Sequence, residues 1–459
     1  MASWDLGALA RAAEGHSPGG GLPKEVQAVG TDTRSLPSGS LFVALRGERF
    51  DGHAFLQQAA DGGAIAAVVD RDGVPPKPPM PLIVVDDTLV ALGRIARYVR
   101  RTHSGPVVGV TGSNGKTTTK ELIARAISPA GEPHKTQGNL NNRIGVPFTL
   151  FDWSQQWAAV VEMGMNEPGE IAELTRIAEP NVGVITVVGP AHIEKLGSIE
   201  NIARAKGELF QTLSPDSVAV VNADDALIET IAVPLLRGQR VVRFGQSENA
   251  EIRLSSAEAD GESTLLSVEV RGASHRMRLP LAGVHNAMNA AAALACAVAL
   301  DIDPGEAAQA MEQVSLPGSR LVIRRDLGPG VSILDDSYNA NPQSMSAAFQ
   351  TLQTLSGGRR IAVLGDMLEL GDQARPLHRD TGDNAVASGI SWVLALGQYA
   401  SDVAEGANAA GGRGDAFVTM DALLAALDAE LRPGDWLVVK GSRGMRMERV
   451  VRHLEGGES

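Results

Sequence analysis

Cysteine is almost missing from this 459-residue chain: Cys296 is the only one. A lone thiol makes no intramolecular disulfide and no cysteine-cluster metal site. Its Ala-rich setting, residues 287 to 300, reads as a packed helix in which it serves as a small apolar residue. Aromatics are scarce at 4%, the formal net charge is −13, and no basic run carries interleaved aromatics, which together exclude a broad nucleic-acid-binding face. No apolar run is long enough to span a membrane. The opening MASWDLGALARAAEG has an early Asp and no basic stretch before an apolar core, so it is not a secretory signal. The expectation is a cytoplasmic protein that holds any anionic substrate with local groups rather than with overall charge.

Glycine is plentiful at 51 residues, and 44% of the chain is hydrophobic. The length predicts about three domains. Residues 107 to 120 read VVGVTGSNGKTTTK, a buried-strand run that breaks into a Gly-Ser-Asn-Gly turn and opens a helix. Glycines let backbone N–H groups crowd around phosphate oxygens, and a helix N-terminus adds partial positive charge. Lys116 can reach terminal phosphates and the Thr117 hydroxyl can hold Mg²⁺, so the expected ligand is a triphosphate. A strict P-loop carries glycine five residues before the Gly-Lys pair, where this chain has Val110.

Before this cradle, SLFVAL (40–45) and LIVVDD (82–87) read as strands of a small α/β unit over residues 1–103. After it, AVVEMG (159–164), VGVITVVG (182–189) and VAVVN (218–222) alternate with helical stretches, describing a doubly wound, mainly parallel sheet within residues 104–314. Alternating apolar and polar residues between about 250 and 281 suit antiparallel hairpins at its edge. SLPGSR (315–320) reads as a linker. VSILDD, IAVLGDM, WVLALG and WLVVKGS then supply a Rossmann-like unit over 315–459. The fold class expected is therefore three α/β domains, with the nucleotide site on the middle one.

Glu162 ends the strand AVVEMG, where ligands gather in an open α/β sheet, and its carboxylate is a hard oxygen donor suited to Mg²⁺. His192 follows the next apolar strand and is expected at the same sheet edge. Lys206 lies near the edge of a helix's buried face, where the plain reading is an ordinary solvated lysine. Asn286 and Asn289 are three apart on a helix; paired amides suit an adenine edge, and N-capping explains either as well. DDSYNANP (335–342), GDMLELG (365–371) and KGSRGMRME (440–448) each follow an apolar strand, forming a second wall for a site shared with the middle domain.

These motifs, together with TDTRSLPSGSLFVALRGERFDGH, GNLNNRIGVP, AHIEKLGS, AKGELF and GVHNAMNAAAA, resemble the Mur ligase family along essentially the whole chain. The resemblance is to its branch that adds D-alanyl-D-alanine, and that family's cradle begins at Thr111, which removes the irregularity at Val110. It implies ATP-dependent joining of UDP-N-acetylmuramoyl-tripeptide to D-alanyl-D-alanine through an acyl phosphate, with ATP and Mg²⁺ as cofactors and, by family habit, a monomer.

The resemblance further implies that Thr111, Gly112, Ser113, Asn114, Gly115, Lys116, Thr117 and Thr118 hold the phosphates, with Lys116 stabilising the transferred group. Thr117 and Glu162 take the first Mg²⁺, and His192 and a carbamylated Lys206 the second. Asn286 and Asn289 meet adenine, Arg320 the phosphates and Asp336 the ribose. Thr33, Arg34, Asp51 and His53 fall to the uridine diphosphate, Asn139, Asn141 and Asn142 to the muramyl-peptide, and Tyr338, Asn339 and Arg443 to the dipeptide. A folylpolyglutamate-type ligase, or a non-catalytic nucleotide-binding protein of the same fold, is the alternative.

Overall fold

The structure is a computed structural model and describes residues 3–19, 21–47, 50–191, 193–355 and 357–457. The first sheet has four parallel strands in sequence order: β1 (Ala28–Gly30), β2 (Ser40–Val43), β3 (Ala66–Asp70) and β4 (Leu82–Val85). Helix α1 (Thr88–Thr102) follows, its start fixed by the Asp87 carboxylate accepting from the N–H groups of Leu89 and Val90. Leu92, Ile95, Ala96 and Val99 recur at helical spacing on its buried face, each large side chain contributing about 1.5–3 kcal/mol on burial. From its last turn Arg100 donates to the Ala178 carbonyl and the Asn181 side chain, tying this helix to the central unit.

The central sheet contains β5 (Val107–Thr111), β6 (His134–Lys135), β7 (Ala159–Glu162), β8 (Val182–Ile185), β9 (Val218–Asn222), β10 (Arg240–Gly245), β11 (Ile252–Asp260), β12 (Ser263–Val270) and β13 (Ala273–Leu279). Their spatial order is β13-β12-β11-β10-β9-β8-β5-β7-β6, parallel from β6 to β11 and antiparallel for the last two pairings. The antiparallel edge matches the alternation in the sequence. After β5 the chain fills β6 and β7 on one side and then crosses to β8 on the other, so β5 marks the switch point at which a crevice opens beyond the carboxyl ends of the strands. Helix α2 (Lys116–Ile127) starts there, with α3 (Ile199–Thr212) and the Ala-rich α4 (Asn286–Ala299) packed nearby. Cys296 is fully buried in α4, and burial pushes its thiol up, as expected of a residue used for packing.

The third sheet runs β14-β15-β19-β16-β17-β18, from β14 (Val322–Leu327), β15 (Val331–Asp336), β16 (Arg360–Gly365), β17 (Trp392–Leu396), β18 (Arg413–Phe417) and β19 (Trp436–Lys440). Only the β14–β15 pairing is antiparallel. Helix α5 (Pro342–Thr354) follows β15. Three strands, β6, β14 and β18, have no apolar run to announce them. All three are edge strands, which need not be buried on both faces. Among the described residues no helix is long and apolar enough to cross a membrane.

Candidate functional site

The turn from β5 into α2 is built as its residue types require. Gly115 precedes the helix at φ +77°, and a Cβ there would lie 2.6 Å from the Asn289 Oδ1, so glycine alone lets α4 approach the loop. Lys116 donates to the Gly112 carbonyl at 2.7 Å, its amine folded over its own loop. Burial holds its pKa below the ordinary lysine value, an effect opposed by Glu162 and reinforced by Arg320. Thr118 is half-buried on the first turn of α2, and the Ser113 hydroxyl donates to the Gly189 carbonyl. Thr111 donates from its side chain to the Met163 carbonyl.

Glu162 sits at the end of β7 with both oxygens engaged. Oε2 accepts from the Thr117 hydroxyl at 2.9 Å, and Oε1 from the Asn141 amide at 2.8 Å. Lys120, missed by the sequence reading, places its Nζ 3.7 Å from Oε2 and donates to the Thr136 carbonyl at 2.7 Å, while the Thr136 hydroxyl accepts from the Glu162 N–H. Lys120 is also 3.4 Å from the buried Glu121, which pairs with Lys135. Its spacing could have found it: three residues after Thr117 and four after Lys116, it shares their face of α2.

Lys206 is 2% exposed, against its expected place at the rim of the buried face. Burial, and then the nearby Lys116 charge, push its amine well below the ordinary lysine range. Both effects favour the uncharged form of the amine. His192 lies outside the described residues. Among the described residues no three His, Cys, Asp or Glu side chains converge as a ready-made metal cage. The Thr117 hydroxyl and Glu162 carboxylate nevertheless fit Mg²⁺, which is usually held by one or two carboxylates together with phosphate oxygens.

Asn286 and Asn289 bond to each other, with the Asn289 Nδ2 donating to the Asn286 Oδ1 at 3.0 Å. Asn286 also donates to the Ala282 carbonyl, and Asn289 accepts from Thr119 of α2 at 3.2 Å. A cavity of about 250 Å³ lies beside them, lined by Asn286, Leu281, Leu316, Arg320 and Leu321 among others. Leu321 has φ +55°, costly for a leucine, and its N–H is accepted by Asp336. The preceding Arg320 lies over the Tyr338 ring, 3.9 Å from its centre, and Arg443 lies 5.7 Å from the same ring. Burial raises the Asp336 pKa, opposed by Lys440, whose Nζ bonds to the Asp336 carboxylate and donates to the Asn339 carbonyl at 2.8 Å. His285, at the head of α4, is pushed down to about 4 by burial and by Lys440.

The N-terminal candidates form a network closed on itself. Asp51 accepts from the His53 Nδ1 at 2.6 Å, the Asp70 N–H donates to His53 Nε2, and Arg46 bridges Asp51 and Asp70. Arg34 is exposed and held by Asp32, with Thr33 half-buried between them. Asn139 is exposed, while the Asn142 side chain accepts from the N–H groups of Ile144 and Gly145 at the next helix start. Of the three asparagines in that segment, Asn141 reaches the carboxylate at the centre of the site.

The chain matches three family profiles: "Mur ligase family, catalytic domain" over residues 25–100, "Mur ligase middle domain" over 110–297 and "Mur ligase, glutamate ligase domain" over 319–443. It is 38% identical over 434 residues to the UDP-N-acetylmuramoyl-tripeptide--D-alanyl-D-alanine ligase of Bacillus subtilis (strain 168), covering 94% of this chain and 93% of that one. Among solved structures, MurF from Acinetobacter baumannii superposes with a TM-score of 0.92 at 32% identity, covering 99% of each chain. MurF ligase from Thermotoga maritima, in complex with ADP, superposes at 0.82 with 28% identity, covering 94% of this chain and 97% of that one.

Proposed function

The chain belongs to the Mur ligase family, and from that premise we propose that it uses ATP to join UDP-N-acetylmuramoyl-tripeptide to D-alanyl-D-alanine, releasing ADP and phosphate. The observation that carries this reading is the convergence of Lys116, Thr117, Glu162 and Lys206 beyond β5, with Arg320 and the 335–342 loop of the third sheet facing them. A phosphate cradle faces a second polar wall, which suits a reaction with a nucleotide and two further substrates. We assign it to the cytoplasm, where ATP and nucleotide-linked precursors are available.

A carboxylate is a poor electrophile. The terminal carboxylate of the tripeptide attacks the γ-phosphorus of ATP, the bond to the ADP oxygen breaks, and an acyl phosphate forms. The dipeptide amine then attacks the acyl carbon, loses a proton, and expels inorganic phosphate. Lys116 and the loop N–H groups stabilise the charge that gathers on the phosphoryl oxygens during the first step. Thr117 and Glu162 would hold Mg²⁺, which supplies further charge neutralisation at the phosphates. Asn141 and Lys120 fix the Glu162 carboxylate in place before the nucleotide arrives.

The neutral amine of Lys206 is the form that combines with CO₂, and its carbamate would give an oxygen donor for a second metal; His192 shares that role on the resemblance of its motif. The cavity beside Asn286 and Arg320 is assigned to adenine and the first phosphates, and Asp336 to the ribose. Asp51 and His53 brace the N-terminal substrate region through their own network, leaving Thr33 and Arg34 for the uridine diphosphate. Asn139 and Asn142 border the muramyl-peptide, and Asn339 and Arg443 the dipeptide.

Phosphate release from ATP, measured with the UDP-muramoyl-tripeptide in the presence and absence of D-alanyl-D-alanine, tests the reaction. Release that requires both substrates, with the pentapeptide product seen by mass spectrometry, is expected. ATP binding without release under any combination overturns it.

A further inference from the structure

Asn114 occupies the middle of the phosphate cradle, yet its side chain points across to the third sheet's loop. Its Nδ2 donates to the Gln343 Oε1 at 2.9 Å and to the Asn341 Oδ1 at 3.2 Å, and its Oδ1 accepts from the Asn341 Nδ2 at 2.7 Å. The orientation of these amides is set by the fold. Asn341 caps α5, so its Oδ1 must face the Ser344 N–H, 2.9 Å away; its Nδ2 is thereby presented to Asn114, whose own Nδ2 is left for Gln343. On the cradle side, Thr186 donates to the Asn114 carbonyl. Gly189 clears the approach, since a Cβ there would fall 1.9 Å from the Gln343 Oε1.

We propose that Asn114, Asn341 and Gln343 are positioning residues: an amide clasp that sets the register between the phosphate cradle and the wall bearing Tyr338, Asn339 and Arg320. The proposal rests on the ligase reading above. In that reaction the acyl phosphate forms against one wall while the amine comes from the other, and a displacement of about 1 Å between them costs on the order of a hundredfold in rate. Three hydrogen bonds joined to a helix cap and to the cradle backbone give a rigid stop at the place where the two walls meet. None of them requires a bound nucleotide. The clasp therefore acts on the geometry of the reacting groups and not on nucleotide affinity.

Asn341→Ser keeps a capping oxygen for α5 and withdraws the amide that meets Asn114. Asn114→Ser withdraws the other half. The expected result for Asn341→Ser is a kcat lower by about tenfold, with ADP affinity by calorimetry within about twofold of the parent and an unchanged melting temperature; the double variant is no slower than the slower single variant. A double variant that loses the product of the two single effects overturns the proposal. So does ADP binding that weakens in step with kcat in Asn114→Ser, which would make Asn114 a phosphate ligand, and so does Asn341→Ser with parental kcat. If the parent releases no phosphate with all three substrates, the ligase reading fails by itself. The clasp is then decided by small-angle scattering of the nucleotide-free proteins: a larger radius of gyration for Asn341→Ser supports it, and an identical profile overturns it.

Discussion

Two sheets of similar parallel design meet at this site, and their strand-end loops treat charge in opposite ways. Beyond β5 the central sheet gathers basic side chains that disfavour one another's charge: the nearby Lys116 lowers the Lys206 pKa that burial has already depressed, and Arg320 does the same to Lys116. Beyond β15, β16 and β19 the charges of the third sheet are settled internally. Lys440 pairs with Asp336, and the Asp366 carboxylate accepts the N–H groups of Gln398 and Tyr399. A region that keeps unfavourable charge in the free protein is arranged for a ligand of opposite sign, whereas a region that neutralises its own is arranged to hold a shape. On the proposed function the first region serves the phosphoryl chemistry, and the second presents a wall to it.

The sharpest way to break this contrast is to remove one lysine from each region. Lys116→Met is expected to lower kcat by about 10²–10³-fold while leaving unfolding by urea unchanged or slightly harder, since it relieves a repulsion with Lys206. Lys440→Met should do the reverse in kind, costing about 3–5 kcal/mol of stability because Asp336 is left buried without its cation. If Lys116→Met proves to be the destabilising change, the assignment of the two regions is wrong.

Lys120→Met sharpens the comparison inside the central sheet. Lys120 is the lysine there that behaves like those of the third sheet, lying between Glu121 and Glu162. A stability loss of about 3 kcal/mol is expected by equilibrium unfolding, with Lys120→Arg recovering at least half of it. A neutral outcome would place Lys120 with the ligand-directed cations instead.

Over the range from pH 7.5 to 5, the smallest effect is a dependence on pH. His285 is pushed down to about 4, so the native state binds no proton there between pH 6.5 and 4 while the unfolded chain does. Stability is accordingly full above about pH 6.5 and falls as the pH drops toward 4, by roughly 3 kcal/mol over the interval. Unfolding curves at pH 7.5, 6 and 5 should show the decline, and His285→Gln should flatten it. An equal decline in the variant assigns it to other groups.

The candidate site was legible wherever a residue's role follows from its place along a strand or at a helix start. VVGVTGSNGKTTTK fixed the cradle, and a carboxylate at the end of AVVE could only emerge near it once the strands ran parallel. The edge strands β6 and β18 escaped notice because strands exposed on one side carry no continuous apolar run. Asp51 and His53, expected near the uridine diphosphate, are also bonded to each other and to Asp70 and Arg46. A sequence shows which side chains are polar, but not which have found partners.

By itself, then, the chain determined its three α/β units, the Gly-rich turn from β5 into α2 and the family to which it belongs, because these rest on local periodicity and on glycine at fixed spacing. The tertiary structure alone decided that Lys206 is buried beside Lys116, that Lys120 steadies Glu162, and that Asn114 meets Asn341 across 227 positions of sequence. Those contacts depend on how faces from separate units are pressed together, and burial and mutual distance, unlike periodicity, are properties of the packed molecule.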